Sequence, residues 1–405
     1  MKILMLTPYL PYPLLSGGQI RTYNLLKKMA KNHEITLFAL IKNENEKQHI
    51  SELEKYCTKV KVFKRSSKPF TLRNIVKTIF SSFPFLVIRN HVSSVIAAVK
   101  EELDTQSYDL IHAETFYMMP HIPETKIPVM LVEQTIEYLG YESFANNQAW
   151  LWLRPLLNLD IKKIKFWEKY YWQTCDSLVT MSEEDKNYIA SKINDANKIS
   201  VVANGVDSSW FAQQQFPKKT TPTLLSVGTF KWLPNVEAVK FLVKKVWPLI
   251  KKKNSGINLW IVGNAPTNEI LAYAKQDKQI LVSGKISDIR EAFNGAHILL
   301  APVFSGKGTR YKILEAMVAG TPIIATSTAV EGLKVTHGQE ILIANEAEEM
   351  AKLALDLLNN QALQKKLSSN GRQFVITNYD WDLIAEQLNH VYQNLGRIKT
   401  YGKKI

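Results

Sequence analysis

The chain has 405 residues, of which 46% are hydrophobic and 22% charged, a composition that excludes a disordered or fibrous protein and gives length enough for two domains. Lysine and arginine outnumber aspartate and glutamate by 51 to 37, for a net charge of +14. That excess favours an anionic partner, which leaves nucleic acid, an anionic membrane surface and phosphorylated substrates open.

The N-terminal apolar run contains Pro8, Pro11 and Pro13, which would break the helix of a secretory signal peptide, so we predict a strand followed by a loop. No apolar run approaches the ~20 residues of a membrane-spanning helix. Cys57 and Cys175 form neither a disulfide framework nor a zinc-binding spacing. We therefore expect a cytoplasmic setting.

Short apolar runs alternate with segments of helical periodicity along the first half of the chain. Amphipathic segments such as residues 20–31 and 92–103 lie between them. Strands that are apolar on both faces and alternate with helices predict a parallel sheet. The predicted strands are residues 3–7, 34–41, 59–63, 109–112, 129–133, 177–180 and 199–202.

The polar, proline-bounded stretch at residues 207–222 interrupts this alternation, and we predict a linker there. The alternation then resumes, so the chain as a whole is predicted to be α/β, with two Rossmann-like doubly wound domains at residues 1–206 and 223–379. The later strands are predicted at residues 224–228, 259–263, 280–283, 298–302 and 322–326. The later helices are predicted at residues 236–251, 269–275, 289–294, 310–319, 346–359, 362–377 and 381–395.

Gly17 and Gly18 follow the first predicted strand and its proline-rich loop, and they open a helix. Glycines in such a place let a ligand approach the backbone, and the start of a helix favours an anion. A tight turn without a ligand is the alternative. The residues alone do not decide between contact with a phosphate or an acceptor and a turn without a ligand.

His112 ends a predicted strand, where an imidazole could relay a proton or bind a sugar hydroxyl. The alternative is a core histidine whose hydrogen bonds are satisfied inside the protein. The residues alone favour this second interpretation.

Gly228 ends the first strand of the second predicted domain. Lys231, three residues later, could reach phosphates, and Trp232 could stack on a ring. An ordinary strand-to-helix loop with a surface lysine fits equally well.

The most informative stretch, residues 301–326, reads as a strand, a glycine-rich loop, a helix, a Gly-Thr-Pro break and another strand. Its loop and helix start combine backbone amides with cationic side chains, which favours a diphosphate cradle over an amphipathic helix with a solvated charged face. Glu315, further along the helix, could accept hydrogen bonds from ribose hydroxyls. The cradle residues are Gly306, Lys307, Gly308, Thr309, Arg310 and Lys312.

Taken together, these motifs resemble those of retaining glycosyltransferases of the family 4 type, which have the GT-B fold. The resemblance extends over essentially the whole chain, and its most specific parts, residues 310–326 and 227–235, are similar to a subgroup associated with bacterial surface polysaccharide assembly. It implies two domains facing a central cleft, with acceptor binding in the first and nucleotide-sugar binding in the second. It also implies that a terminal helix in residues 380–405 returns to the first domain.

The resemblance also implies roles for individual residues. Glu315 matches the second carboxylate of a Glu-x7-Glu motif, which holds the ribose. Val282 is expected after its strand, where the backbone contacts the base, and His112 is expected to face the donor sugar near its anomeric centre.

Two positions depart from the family pattern. Lys307 stands eight positions before Glu315, where the first carboxylate of the motif is expected, and this points to an acidic or otherwise atypical donor sugar. The usual Arg and Lys after Val-Gly fall at Thr229 and Pro234. The diphosphate charge must then be met elsewhere, and the candidates are Lys231, Arg310 and Lys312.

The implied reaction is a metal-independent transfer, with retention at the anomeric carbon, from a nucleoside-diphosphate sugar to a glycan, lipid-linked or other cell-surface acceptor. UDP and GDP sugars are the expected donors, and neither a separate cofactor nor a bound metal is expected. A non-catalytic nucleotide-sugar-binding scaffold, a GT-B epimerase and a phosphorylase remain alternatives. Nucleic acid is not expected, because no nucleic-acid-binding motif is present and the charge is spread along the chain.

Two segments, residues 68–91 and 150–172, mix aromatic and cationic side chains in the way that suits a membrane interface. They predict peripheral contact with the inner face of the cell membrane. Core-facing helices with a solvated basic side are the alternative.

Overall fold

The computed structural model describes residues 1–68, 70–147, 154–305 and 311–401. The chain divides into two compact units, Met1–Ala203 together with the residues from Ile384 onward, and Asn204–Leu383. Within the described ranges, no helix is long and apolar enough to cross a membrane.

The first unit is built on a parallel sheet of seven strands in the order β3-β2-β1-β4-β5-β6-β7. Every residue of β4 and nearly every residue of β1 and β2 is buried, as expected for strands covered on both faces. The strands are β1 (Lys2–Thr7), β2 (Glu34–Ile41), β3 (Lys59–Lys64), β4 (Leu110–Glu114), β5 (Val129–Glu133), β6 (Ser177–Thr180) and β7 (Ile199–Val201).

Helices flank this sheet, and side-chain caps fix where several of them begin. Thr71 accepts a hydrogen bond from the backbone N–H of Asn74 at 3.2 Å, and Ser182 accepts one from Asp185 at 3.1 Å. The helices are α1 (Gly17–Met29), α2 (Ile50–Leu53), α3 (Leu72–Phe80), α4 (Phe85–Asn90), α5 (Ser93–Thr105), α6 (Glu137–Asn147), α7 (Arg154–Thr174) and α8 (Glu183–Ala190).

The second unit has a parallel sheet of six strands in the order β10-β9-β8-β11-β12-β13, which is the strand order of the Rossmann fold. All the strands predicted from the sequence are present within two residues of their expected bounds. Only β13 was missed, because two residues are too few to show periodicity. The strands are β8 (Thr223–Val227), β9 (Asn258–Val262), β10 (Ile280–Ser283), β11 (Ile298–Ala301), β12 (Ile323–Ala325) and β13 (Leu342–Ile343).

The helix predicted at residues 236–251 is interrupted by a π-helical turn, Leu242–Val246. The segment 207–222, predicted as a linker, contains a short helix and belongs to the second unit. The helices are α9 (Ser208–Gln213), α10 (Leu233–Phe241), α11 (Trp247–Lys253), α12 (Asn268–Gln276), α13 (Ile289–Gly295), α14 (Tyr311–Ala319), α15 (Ala347–Leu358), α16 (Gln361–Asn378) and α17 (Trp381–Tyr401).

The last helix, α17, begins in the second unit, and its residues from Ile384 onward belong to the first. Its apolar positions Ile384, Leu388 and Tyr392 repeat every four residues and are fully buried. This burial fixes the helix in the first unit. The prediction of an α/β protein with two doubly wound, Rossmann-like domains is confirmed.

Candidate active site

Both sheets contain a point at which the strand order reverses, between β1 and β4 in the first unit and between β8 and β11 in the second. At such a point the connections leave in opposite directions and open a crevice at the carboxyl ends of the strands, where ligands bind. The sequence motifs follow these four strands.

In the second unit, Gly228 directly follows β8 and lies against the loop after β9. A Cβ atom at Gly263 would lie 1.6 Å from the carbonyl oxygen of Gly228, and one at Gly228 would lie 2.7 Å from Cγ of Asn235. The N–H of Phe230 donates to the carbonyl of Asn264 at 2.9 Å. Both glycines are therefore required by close approach, and the loop after β8 is held from two sides.

Asn235 connects this loop to helix α14. Its Nδ2 donates to the carbonyl of Thr229 at 3.0 Å, and its Oδ1 accepts from Nζ of Lys312 at 2.9 Å. The structure thus brings the Gly228 loop and Lys312 together, as the cradle interpretation requires. Sequence reasoning did not single out Asn235, because its contact with Lys312 spans 77 residues of chain.

Glu315 is half-buried on α14, one turn beyond Lys312. Burial raises the pKa of the Glu315 carboxyl to about 7, and the positive charge of Lys312 opposes this rise. A desolvated carboxylate forms stronger hydrogen bonds than one in water. A desolvated carboxyl beside a cation is a candidate functional group.

Five of the predicted cradle residues lie outside the described residues: Gly306, Lys307, Gly308, Thr309 and Arg310. The described chain resumes at Tyr311, the first residue of α14. Their roles in the cradle stay predictions from the sequence.

Lys231 and Trp232 are exposed in the loop between β8 and α10. Val282 differs from its expected position, because β10 continues to Ser283 and Val282 therefore lies inside the strand rather than after it. Ser283 pairs with Val262 of β9, and its hydroxyl accepts a hydrogen bond from the indole of Trp260 at 2.9 Å. Val282 packs against the core of the unit.

In the first unit, α1 begins at Gly17 after Ser16, whose hydroxyl accepts from the N–H of Gln19 at 3.4 Å. A Cβ atom at Gly18 would lie 2.6 Å from both Oε1 of Gln134 and the hydroxyl of Tyr9. Gly18 is thus required for this close packing. The Gly17-Gly18 helix start lies beside polar side chains at the carboxyl edge of the sheet.

These polar side chains centre on Glu114, the last residue of β4, which is 1% exposed. Gln134 donates to Glu114 at 2.6 Å and to the hydroxyl of Tyr9 at 2.7 Å, and Tyr9 lies 3.1 Å from Thr22. Burial alone would raise the pKa of the Glu114 carboxyl, but the hydrogen bond from His112 and the charge of Arg21 hold it below its usual value. The sequence analysis missed Glu114, whose only signal was an acidic residue at the end of an apolar strand.

His112 is 1% exposed and uses both ring nitrogens inside the first unit. Nε2 lies 3.2 Å from Oε1 of Glu114, and Nδ1 lies 2.6 Å from the hydroxyl of Tyr392 on α17. Because an ionised carboxylate only accepts hydrogen bonds, Nε2–H donates to Glu114, and in the neutral ring Nδ1 accepts from Tyr392. This is the geometry of a buried histidine with satisfied hydrogen bonds, and its role at an anomeric centre stays a prediction.

The sequence contains one Asp-x-Asp triplet, Asp380-Trp381-Asp382. Asp380 accepts from the N–H of Ser208 at 3.2 Å, from the Ser208 hydroxyl and from the N–H of Asp382 at 2.8 Å. These contacts give Asp380 a structural role at the start of α17. In the described part of the chain, no group of three or more histidine, cysteine or acidic side chains is placed to hold a metal ion.

Two family models match the chain, one in each half. The model described as Glycosyltransferase Family 4 matches residues 15–210, and the model described as Glycosyl transferases group 1 matches residues 221–360. The first match includes Gly17, Gly18 and Glu114, and the second includes Gly228, Lys312 and Glu315. The chain is therefore a glycosyltransferase of the family 4-like type.

A 44.6 kDa protein in the cps region of Klebsiella pneumoniae is 22% identical over 391 residues, which are 94% of this chain and 96% of that protein. Sucrose-phosphate synthase from Thermosynechococcus elongatus superposes with a TM-score of 0.70 at 16% identity, over 98% of this chain and 99% of that one. HepE from Anabaena in complex with UDP-glucose gives 0.66 at 15% identity, over 97% and 100%. These structures establish the GT-B fold.

The pKa of Glu315 predicts how Glu315→Gln changes stability with pH. Because the folded-state pKa, about 7, lies above the unfolded value of 4.5, the unfolded chain binds fewer protons between these limits, and this group makes the protein less stable as pH rises. Glu315→Gln removes this pH-dependent loss of stability, because glutamine does not ionise. Urea unfolding should therefore show similar stability of the two proteins at about pH 4.5 and a growing advantage of the variant up to about pH 7. A stability difference that does not change with pH would contradict the assignment.

Proposed function

We propose that the protein is a retaining glycosyltransferase that moves a sugar from a nucleoside-diphosphate donor, a UDP or GDP sugar, to a glycan, lipid-linked or other cell-surface acceptor. The observation that carries this proposal is the linkage of the Gly228 loop, Asn235 and Lys312 at the carboxyl edge of the second sheet, with Glu315 one turn away. The likeness to HepE, solved with UDP-glucose, supports a UDP sugar. The cps-region relative supports a role in surface polysaccharide assembly.

In this proposal the diphosphate lies against the loop after β8 and the start of α14. Lys312 supplies a cation whose position is fixed by Asn235, and the exposed Lys231 supplies a second that can move toward the ligand. Arg310 and the backbone amides of residues 306–309 are proposed to complete the cradle. The carboxylate of Glu315 accepts hydrogen bonds from the ribose hydroxyls.

The reaction breaks the bond between the anomeric carbon and the phosphate oxygen and forms a bond from that carbon to an acceptor hydroxyl on the same face. The acceptor proton passes to an oxygen of the leaving diphosphate, so no side chain has to act as a nucleophile. Negative charge grows on the diphosphate in the transition state, and cations already in place stabilise it there. We propose that these cations take the role a divalent metal would otherwise have.

The first unit is proposed to bind the acceptor at the carboxyl edge of its sheet. The helix start at Gly17 and Gly18 lies beside the side chains around Glu114, and Glu114 holds His112 in one orientation. His112 is proposed to face the donor sugar from there. We propose that the enzyme works in the cytoplasm, peripherally on the inner face of the membrane.

Exposed apolar side chains on α3 and α7 support the membrane part of this proposal. Leu72, Ile79 and Phe80 on α3 and Phe166 on α7 are each about half exposed or more, near cationic residues of the same helices. Trp172 on α7 is instead fully buried and donates to Glu133 at 3.1 Å. The second predicted segment is therefore partly a core-facing helix, and Trp150 and Trp152 lie outside the described residues.

Thermal unfolding with a panel of nucleoside diphosphates and nucleotide sugars tests the donor site. One nucleotide should raise Tm, by the equivalent of ~2.7 kcal/mol at one hundred times its Kd. Glu315→Ala should weaken binding by ~1.5–3 kcal/mol, because it removes a charged hydrogen-bond acceptor, and the exposed Glu349→Ala should not. If no nucleotide raises the Tm of the wild-type protein, the proposed donor site is refuted.

Release of nucleoside diphosphate from the selected donor, with a membrane lipid extract as acceptor source, tests the role of Lys312. Lys312→Ala should lower the rate by ~10²–10³, because a fixed charge at the leaving group is lost. Lys352→Ala, an exposed lysine on α15, is the matched control and should leave the rate unchanged. Excess EDTA should also leave the wild-type rate unchanged, and a rate abolished by EDTA and restored by Mg²⁺ would refute the metal-independent reaction.

A further inference from the structure

Helix α3 separates two cavities of different character in the first unit. One, of about 600 Å³, is lined mainly by apolar side chains, and the other, of about 830 Å³, is lined by cationic and polar side chains together with apolar ones. Ile75, Thr78 and Ile79 face the first, while Arg73, Asn74 and Lys77 face the second, in the spacing expected for two sides of one helix. Arg89 of α4 lines both cavities, so they adjoin there.

The apolar cavity is an open groove between α3, α6 and α7. The most exposed apolar side chains that line it are each between 42% and 78% exposed. Soluble proteins rarely expose so many apolar side chains in one patch. Those of the groove are Phe70, Ile75, Ile79, Phe144, Leu156 and Leu159.

The groove is held open by polar contacts at its base. Nζ of Lys163 donates to the carbonyls of Thr78 and Ser81 at 2.5 and 2.6 Å, and Asp160 accepts from the N–H of Phe85 at 2.8 Å. Lys163 therefore ties the C-terminal end of α3 to α7 and neutralises the partial charge there. With these groups paired, the groove offers a ligand mainly hydrocarbon surface.

The second cavity carries positive charge. Arg73, Lys77 and Arg89 line it together with His91, with hydroxyl and amide groups and with the apolar side chains of Phe80, Phe83, Val87 and Ile88, and its lining within the described residues includes no acidic side chain. The buried Nε of Arg89 has no hydrogen-bond acceptor within that part of the chain. Burial and the charge of Lys77 lower the pKa of His91. Such a cavity has the chemistry of a phosphate or diphosphate site.

From this juxtaposition we infer that one phosphate-linked lipid binds across α3, with its hydrocarbon chain in the apolar groove and its phosphate or diphosphate in the cationic cavity. Both volumes fall in the range of small-molecule sites. The inference rests on the proposed function and narrows the acceptor to a sugar or glycan carried on a lipid phosphate. The proposed ligand is one lipid molecule and not the surface of a bilayer.

Calorimetric titration of the full chain with dodecyl phosphate below its critical micelle concentration tests this directly. Inorganic phosphate and dodecyl maltoside each carry only one of the two features, and both should bind at least about tenfold more weakly than dodecyl phosphate. Ile79→Asn should weaken dodecyl phosphate binding about tenfold through the lost chain contact. Lys77→Ala should do the same through the lost phosphate contact. Ile79 and Lys77 are both exposed on α3, so neither substitution should disturb the fold.

Matched controls are Leu271→Asn, an exposed leucine on α12, and Lys100→Ala, an exposed lysine on α5, and both should bind as the wild type does. The Tm rise with nucleotide should be the same in all four variants, so that loss of donor binding, which would refute the proposed function, is separated from loss of lipid binding. Equal binding of the three probes, or binding insensitive to Ile79 and Lys77, would overturn the inference. Flotation with anionic vesicles without any binding of monomeric dodecyl phosphate would also overturn it and would leave only bilayer contact.

Discussion

The contact between the backbones of Gly228 and Gly263 is the constraint on which the proposed donor site of the second unit depends. Because Gly263 has no side chain, the loops after β8 and β9 approach within a distance that a single methyl group would prevent. Asn235 packs closely on Gly228 and contacts both Thr229 and Lys312. The two glycines in these loops thereby help to place the side chain that binds Lys312 of α14.

Glu114 and Glu315 show two different outcomes of burying a carboxyl group. Glu114 is surrounded by donors and near a positive charge, which outweigh the cost of burial and keep it ionised. Glu315 has one neighbouring cation and little else to offset burial, so its carboxyl titrates near neutral pH. The first arrangement suits a permanent structural anion that orients His112, and the second suits a group completed by a ligand.

Much of the fold followed from the sequence, because both sheets consist of apolar strands separated by amphipathic helices, and this alternation predicts a parallel sheet strongly. The position of Gly228 directly after a strand was predictable for the same reason. His112, predicted to end its strand, instead lies inside β4, which continues to Glu114. The partners of these residues were not predictable, since Asn235 with Lys312 and His112 with Tyr392 lie 77 and 280 residues apart. The strand at residues 280–283 was predicted correctly, and only the position after the strand that the family resemblance implied for Val282 was wrong. The two cavities beside α3 were also invisible, although the aromatic and cationic composition of that segment had indicated an unusual surface.

The most direct test of the account is a crystal structure of the full chain soaked with the nucleoside diphosphate that stabilises it most. The account predicts the diphosphate against the Gly228 loop within hydrogen-bond distance of Lys312, and the ribose hydroxyls on the carboxylate of Glu315. A nucleotide bound elsewhere, with Lys312 and Glu315 making no contact to it, would contradict the central claim.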